Sequence, residues 1–268
     1  MHIINVHDAL SSKGETTMKK MIAMLLALML AMSCIAVFAS CDKEEDKPVI
    51  KMATNAYFKP YEYYDGETIV GIDAEIAAAI ADKLGMKLEI VDMEFDSIIT
   101  AVNEGSVDFG MAGMTVTEKR LEEVDFSISY ANGVQAIIVK EGSPITCADD
   151  LYAEGANYKV GVQLGTTGDI YATDDFGSAN VTTYSNGNEA VLALLGGSVD
   201  CVIIDNEPAK ALVAANAGLK ILETSYANED YAICIKKGNA ELLEKINQAI
   251  MELTEDGTIQ GIINKYIK

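Results

Sequence analysis

The sequence has 268 residues, half of them hydrophobic, and its 41 acidic side chains outnumber 20 basic ones to give a net charge of −21. So acidic a chain is expected to repel nucleic acid and anionic lipid, and it is long enough for two lobes of about a hundred residues each. Both histidines, His2 and His7, precede the region expected to fold, which excludes a Ser-His-Asp triad and a histidine-ligated metal there.

The first 40 residues are typical of an export signal that follows an irregular start. Residues 1–17 show no periodic pattern, and we interpret them as the product of a mis-set start codon. Residues 18–40 begin with a basic segment, continue as an almost entirely apolar run and end in a lipobox-like stretch before Cys41, as lipoprotein signal peptides do. Cys41 is therefore the expected lipidation site, and the protein is expected to be extracytoplasmic and lipid-anchored to the bacterial cell membrane.

Two alternatives stay open for this leader. Phe38 stands where a lipobox usually has leucine, and Cys34 is a second candidate for the lipidated residue. Without cleavage, residues 21–40 would be just long enough to span a membrane as a permanent helix. In either case residues 41–47 form a short charged tether with nothing apolar to bury.

From Pro48 onward, apolar runs of β character alternate with helical ones, which predicts βαβ units and a parallel sheet flanked by helices. In the helix expected at residues 73–84, an isoleucine at 76 and another at 80 start a buried stripe. Asp73 and Glu75 lie in its first turn, where acids suit the helix dipole, and we interpret both as structural. The predicted elements of this first part cover residues 49–53, 73–84, 88–91, 95–102 and 107–111.

The stretch from Asp108 to Arg120 combines the end of a strand, a run of small residues and a helix start. Residues 112–115 leave backbone N–H and C=O groups open to a ligand, and either Thr115 or Thr117 can cap the helix. Arg120 then lies in the first turn, where the helix dipole disfavours a cation unless an anion is near. A bound carboxylate would supply that anion, whereas the simpler alternative is a solvated surface arginine.

A second unit with its own alternation begins at the apolar run 134–139. A return strand is expected at residues 231–236, followed by closing helices over 240–268, so that two extended crossings would join the lobes as a hinge. The predicted first lobe comprises residues 48–133 and 229–268, and the second comprises 134–228. Elements predicted within the second lobe cover residues 159–162, 189–196, 201–204, 207–217 and 220–222.

Four motifs, in this order and spacing, resemble those of the family 3 extracellular solute-binding proteins of polar amino-acid ABC importers. They are GIDAEIAAAI at residues 71–80, DFGMAGMTVTEKR at 108–120, VGVQLGTT at 160–167 and VDCVIIDNE at 199–207. The resemblance implies a two-lobed α/β fold of the periplasmic-binding-protein type II, each lobe a mainly parallel sheet flanked by helices, with a two-strand hinge. It also implies a monomer without cofactor, metal or enzymatic activity that binds a free amino acid and delivers it to an ABC transporter permease.

The resemblance also assigns the two charged ends of the amino acid. Its α-carboxylate would lie against Arg120 and the backbone N–H groups of Thr115 and Thr167, and its α-ammonium against Asp205 and backbone carbonyls at 112–113. These positions follow strands, where ligands of open α/β sheets bind. The full set of expected ligand-binding residues is Asn55, Phe58, Phe95, Ala112, Gly113, Thr115, Arg120, Gln163, Thr167 and Asp205.

The resemblance further puts Phe58 and Phe95 on opposite sides of the ligand side chain, although each aromatic ring is alternatively a core residue. Two other functions compete with import. A tethered sensor would bind the same ligand without transport. A cyclohexadienyl dehydratase, an activity found in a few members of the family, would need acid-base groups, for which Asp92, Glu94 and Asp96 are candidates; a solvated loop explains these acids more simply.

The side-chain specificity rests on two amides. Asn55 stands where several cation binders and glutamine binders of the family have aspartate, and Gln163 where some glutamine binders have lysine. Two neutral amides offer hydrogen bonds but no counter-charge, and an uncompensated buried charge costs several kcal/mol. The sequence therefore favours a neutral ligand, such as glutamine, cystine or methionine, unless Glu62 or Tyr57 reaches the slot.

Overall fold

A computed structural model describes residues 47–223 and 226–268; the expected start, signal peptide and lipidation site at Cys41 lie outside the described residues. Residues Pro48–Lys268 form one compact unit. None of its described helices combines the length and the apolar character needed to cross a membrane. The helices are α1 (Ile72–Lys83), α2 (Ile98–Glu104), α3 (Glu118–Glu123), α4 (Thr167–Phe176), α5 (Gly187–Gly196), α6 (Asn206–Ala215), α7 (Ala240–Glu255) and α8 (Thr258–Tyr266). The strands are β1 (Val49–Thr54), β2 (Tyr57–Phe58), β3 (Glu62–Asp65), β4 (Thr68–Val70), β5 (Lys87–Asp92), β6 (Phe109–Gly110), β7 (Val124–Phe126), β8 (Ala131–Lys140), β9 (Val160–Gln163), β10 (Val181–Tyr184), β11 (Cys201–Asp205), β12 (Leu219–Ile221), β13 (Ala227–Tyr231) and β14 (Cys234–Lys236).

Each lobe is built on one sheet. The sheet of the first lobe has the order β5-β1-β6-β14-β7, in which β1 is parallel to β5 and β6 while β14 runs antiparallel to its neighbours. In the second lobe the order is β10-β9-β11-β8-β12, with β13 also paired to β8, and β8 runs opposite to the other strands. Both sheets are therefore mainly parallel, and the expected two-lobed α/β architecture is confirmed.

The chain crosses between the two sheets twice. Residues 127–130 lead from β7 to β8, and residues 232–233 lead from β13 to β14. The crossings lie side by side, because the backbone N–H of Ser127 donates to the carbonyl of Ile233 (2.9 Å) and that of Tyr130 to the carbonyl of Tyr231 (3.0 Å). Two adjacent extended crossings are the usual construction of a hinge. The predicted lobe boundaries, at residues 134 and 229, fall within β8 and β13 and stay a prediction.

The core of the first lobe contains the expected stripe of α1. Ile76 and Ile80 are both buried there, in the same cluster as Ile246 and Ile250 of α7. Since these four side chains come from helices on one face of the sheet, they fix α1 and α7 against it and leave the carboxyl ends of the strands free for loops.

The structure corrects the sequence prediction at several short elements. The antiparallel strands β2, β3 and β4, and also β10, were not predicted, because strands of two to four residues with charged and polar neighbours carry little periodic signal. No element was predicted between residues 162 and 189, where the structure has the helix α4, which is capped by Thr166 and has no apolar stripe. The expected return strand is divided, since β13 belongs to the second sheet and β14 to the first.

Candidate functional site

A cavity opens between the lobes at the carboxyl ends of the parallel strands of both sheets. All gaps between its atoms, together with the open mouth, amount to about 300 Å³. All ten residues expected from the sequence line it, although their binding of a ligand stays a prediction. The complete lining consists of Asn55, Phe58, Glu62, Phe95, Ala112, Gly113, Thr115, Arg120, Gln163, Thr166, Thr167 and Asp205.

Arg120 brings a buried positive charge to the cavity. Thr117, not Thr115, caps α3 by accepting a hydrogen bond from the backbone N–H of Arg120 (3.2 Å). The guanidinium donates to the carbonyl of Thr115 (2.7 Å) and, across the cleft, to that of Gly165 (3.0 Å). It also lies 5.3 Å from the centroid of the Phe95 ring.

This guanidinium has no anionic partner within the described part of the chain, where the ion pairs all involve lysine. Burial lowers the pKa of Arg120, but an arginine keeps its proton at physiological pH. Its remaining N–H groups can therefore serve an anion in the cavity. The N-terminus of α4 adds to this site, because Thr167 lies in its first turn, where backbone N–H groups lack helical acceptors.

Asp73 holds the corner after β6 in place through hydrogen bonds. One carboxylate oxygen of Asp73 accepts hydrogen bonds from the backbone N–H of Gly113 and from the hydroxyl of Tyr130, both at 2.8 Å. Gly113 has a φ of +52°, and a Cβ there would lie 2.8 Å from the ring of Phe58, so this position requires glycine. Burial raises the pKa of Asp73 to about 6. Its contacts agree with the structural role expected from the sequence.

Asp205 supplies an acid to the cavity from the end of β11. One of its oxygens accepts a hydrogen bond from the Gln135 amide (2.7 Å), and the hydroxyl of Tyr231 donates to the other. Burial first, and then the charge of Glu229, raise the pKa of Asp205 to about 8. The cavity thus contains one site suited to an anion and one suited to a cation.

The two amides on which the specificity prediction rested are bonded to each other. The Gln163 amide nitrogen donates to the Asn55 side-chain oxygen across the cleft (2.9 Å) and to the carbonyl of Ser185 (3.2 Å). The Asn55 amide nitrogen donates to the carbonyl of Met93 (2.9 Å). Because both nitrogens have protein partners, these amides form a wall that leaves few donors for a ligand.

Glu62 is the acid that the sequence named only as a possibility, and it lines the cavity. Its side chain is fully buried, and neither carboxylate oxygen accepts a well-formed hydrogen bond among the described residues. Burial, followed by the charge of Asp73, raises the pKa of Glu62 well above its usual range. The two carboxyl groups lie close enough for Glu62, when it carries a proton, to share it with Asp73. An empty cavity therefore favours a protonated Glu62, and a cation would favour the ionised form.

The three acids considered for catalysis do not line the cavity. Asp92 accepts hydrogen bonds from the backbone N–H of Ala56 (2.8 Å) and the hydroxyl of Tyr64 (3.0 Å), which fixes the loop after β1. Glu94 and Asp96 are exposed. These contacts give the acids a place in the loop structure rather than in an acid-base pair.

The chain is similar to proteins of known kind over nearly all of the described residues. Residues 50–268 match the family described as bacterial extracellular solute-binding proteins, family 3. The arginine-binding extracellular protein ArtP of Bacillus subtilis (strain 168) is 30% identical over 254 residues, covering 93% of this chain and 98% of ArtP. The solved structure of an ancestral arginine-binding protein bound to arginine is 41% identical, with a TM-score of 0.77, over 83% of this chain and 99% of the other. A second structure, described as an ancestral arginine-binding protein bound to glutamine, has the same identity and TM-score over 82% and 98%.

Proposed function

The chain belongs to the bacterial extracellular solute-binding proteins of family 3, and we propose from this membership and from its cleft that it captures a free L-α-amino acid outside the cytoplasm and delivers it to an ABC importer. The named relatives are binding proteins.

The charges of the cleft match those of a zwitterion. The α-carboxylate would lie between the Arg120 guanidinium and the N-terminus of α4, and the α-ammonium would lie at Asp205. Arg120 and Asp205 come from different lobes, so both ligand charges would be satisfied only when the lobes are together. A ligand with that requirement favours the closed state over the open one.

For the side chain, we propose a cationic ligand, with arginine first, in place of the neutral ligand that the sequence favoured. Glu62 carries this proposal: it is a fully buried acid in the cavity lining, and neither of its oxygens accepts a well-formed hydrogen bond from the described residues. A guanidinium would supply both the missing donors and the missing charge. The names of ArtP and of the ancestral protein point the same way.

Glutamine is the second candidate, because the Asn55–Gln163 wall is neutral and the ancestral relative has also been solved with glutamine. A protonated Glu62 would donate a hydrogen bond to the glutamine side chain at no cost in charge. The two candidates thus require different protonation states of Glu62: arginine requires the ionised form, and glutamine the protonated form.

Competition between L-arginine and L-glutamine in the wild-type protein and in Glu62→Gln tests the choice. We expect arginine to bind the wild-type protein at least tenfold more tightly, which corresponds to about 1.4 kcal/mol. In Glu62→Gln that advantage should disappear, since the counter-charge is lost while the shape is kept. Titration calorimetry with each ligand alone and in the presence of the other measures both values.

Glu67→Gln is the matched control, because Glu67 is exposed and lies five residues along the chain. It removes the same charge and should leave the preference unchanged. A wild-type protein that prefers glutamine, or a Glu62→Gln variant that keeps its full preference for arginine, would restore the neutral ligand as the better account.

We also propose that Cys41 carries a lipid that anchors the protein at the membrane surface. The basic start, apolar run and lipobox-like end of residues 18–41 support this, and they lie outside the described residues. The mature protein should sediment with membranes, whereas Cys41→Ala should lose the lipid and its mass. Membrane association of Cys41→Ala without any lipid mass would indicate an uncleaved helix over residues 21–40 instead.

A further inference from the structure

Asp205 has a second buried carboxylate, that of Glu229, near it in the same sheet. β8 runs between β11 and β13, and in its register Gln135 is the direct partner of Asp205 while Glu229 is paired with Gly133, two residues along. Side chains so related share one face of a sheet. Asp205 and Glu229 are only 7% and 5% exposed.

A single amide nitrogen bridges the two carboxylates. Gln135 donates from this nitrogen to Asp205 (2.7 Å) and to Glu229 (3.0 Å). The other Glu229 oxygen and the Gln135 side-chain oxygen accept no well-formed hydrogen bond in the described part of the chain, although the Tyr171 hydroxyl lies within reach of Glu229. The pair therefore has fewer donors than two buried carboxylates need.

The groups around the pair do not neutralise it. Tyr231 on β13 donates to Asp205, Thr167 on α4 lies beside Gln135, and Tyr171 on α4 lies beside Glu229. The positive charge of Arg120 acts on both acids without forming an ion pair with either. From the first lobe, Tyr61 and Glu62 interact electrostatically with Asp205, and the charge of Glu207 on α6 reaches the same Tyr61 hydroxyl, so these charged neighbours are also acidic.

Two like charges this deeply buried cannot both be ionised without a cation, and the empty pair is expected to hold one proton. We propose that Glu229 is a positioning residue for the ligand ammonium: Glu229 and Asp205 together form a two-carboxylate site, in which the α-ammonium of the ligand replaces the proton that the empty pair holds. The proton passes to the solvent, and the ammonium then provides the positive charge and the hydrogen bonds that the proton had provided to the two carboxyl groups. This inference rests on the proposed function, since it concerns how the same cleft binds an amino acid.

Two consequences distinguish this site from a lone aspartate. Every L-α-amino acid should release a proton when it binds near neutral pH, whatever its side chain, because the ammonium is common to all. Because burial and the charge of Glu229 raise the pKa of Asp205, the affinity should also rise with pH until the pair has lost its proton, and should level off above that pH.

Calorimetry in two buffers of different ionisation enthalpy counts the protons released per ligand. With L-arginine and with L-glutamine, the wild-type protein should release about half a proton or more at about pH 7, and the affinity for each should rise at least tenfold between about pH 6 and about pH 8. With L-glutamine, the release in Glu229→Gln should fall below half of the wild-type value. With L-arginine, Glu62 can add a proton that remains in Glu229→Gln, so there the release should fall only by the part that belongs to the pair.

Asp230→Asn is the matched control, since Asp230 is the next residue on β13 and is exposed. It should release as many protons as the wild-type protein. Wild-type binding without proton release, or an equal release in Glu229→Gln, would overturn the inference and leave the proposed function intact. If neither L-arginine nor L-glutamine binds at any pH, both the inference and the proposed function fail. Should Glu229→Gln not fold, a wild-type affinity that does not change between about pH 6 and about pH 8 would overturn the inference by itself.

Discussion

The Arg120 side chain already uses two of its N–H groups within the protein, so its fork geometry matters as much as its charge. A lysine at this position would keep the charge but could not serve two carbonyls and a carboxylate in one plane. We expect Arg120→Lys to weaken amino-acid binding by about 1.5–3 kcal/mol, the range for a hydrogen bond to a charged group. Calorimetry with L-arginine measures the loss.

Lys119→Ala provides the comparison, because Lys119 is the exposed neighbour of Arg120 on α3. Its removal should change the binding free energy by less than about 0.5 kcal/mol. If Arg120→Lys binds as tightly as the wild-type protein, the α-carboxylate does not lie at this guanidinium.

At the scale of single residues, the sequence predicted those that follow strands and missed those whose burial or neighbours depend on tertiary structure. Asp205 and Gln163 end buried runs, and their positions could be read from the chain. Glu62 lies among charged and tyrosine residues, where nothing in the sequence signals burial. Glu229 and Gln135 meet only because β8 lies between β11 and β13, and no local pattern predicts that strand order.

Among the elements, β8 and β13 depend on a glycine that makes room for a side chain. The Tyr231 ring lies over Gly133, and a Cβ at that position would overlap its hydroxyl end. Gly133→Ala should therefore displace Tyr231 and its hydrogen bond to Asp205. We expect a loss of about 1–3 kcal/mol in the free energy of unfolding, measured with urea, and weaker ligand binding in the same variant.

The control for Gly133→Ala is Gly261→Ala in α8, where a Cβ would meet no atom within 4 Å. Alanine favours a helix over glycine, so this variant should gain about 0.5–1 kcal/mol. An unfolding free energy of Gly133→Ala equal to that of the wild-type protein would contradict the close packing of Tyr231 on β8.

The elements themselves were predictable in proportion to their length and apolar content. Buried strands such as β9 and β11, and helices such as α1 and α7, have runs long enough to give a period, and their predicted bounds are within a few residues of those observed. The segment from Tyr57 to Val70 forms three short strands that pair only with one another, and its polar sequence is typical of a loop. The structure of such segments depends on which strands pair in the folded protein, and a local sequence pattern does not contain that information.

For the whole molecule, the buried acids set how stability depends on pH. The pKa values of Asp73 and Asp205 are raised to about 6 and about 8, and that of Glu62 is raised well above its usual range. Between the unfolded and the folded pKa, the native state holds a proton that the unfolded chain has lost, so stability falls as the pH rises. The empty protein should melt at least about 5 °C lower at about pH 8 than at about pH 5, and the repulsion within a chain of net charge −21 acts in the same direction.

Thermal melts followed by circular dichroism between about pH 5 and about pH 8 test whether stability falls or rises with pH. Asp205→Asn should give a shallower dependence on pH, because its amide has no proton to lose, whereas Asp65→Asn, on the exposed hairpin, should follow the wild-type curve. A melting temperature that stays level or rises from about pH 5 to about pH 8 would mean that the buried acids are already ionised in the empty protein.

Among the described residues, two side-chain hydrogen bonds cross the cleft from lobe to lobe: the Gln163 amide donates to Asn55, and the Arg120 guanidinium donates to the carbonyl of Gly165. These contacts join groups at the ends of strands in different sheets, so they can form only when the lobes are together. An amino acid that bridges Arg120 and Asp205 would add to the same closed arrangement, which links the chemistry of the cleft to the movement expected of the hinge.

The central claim is that a free L-α-amino acid binds in this cleft, and titration calorimetry of the purified protein tests it most directly. Heat is the suitable signal because the chain has no tryptophan. Against the twenty amino acids and cystine, the account predicts saturable binding of one ligand per chain for at least one of them, with arginine foremost, and loss of that binding in Asp205→Ala. The absence of saturable binding across the whole panel, in two buffers of different ionisation enthalpy, would contradict it.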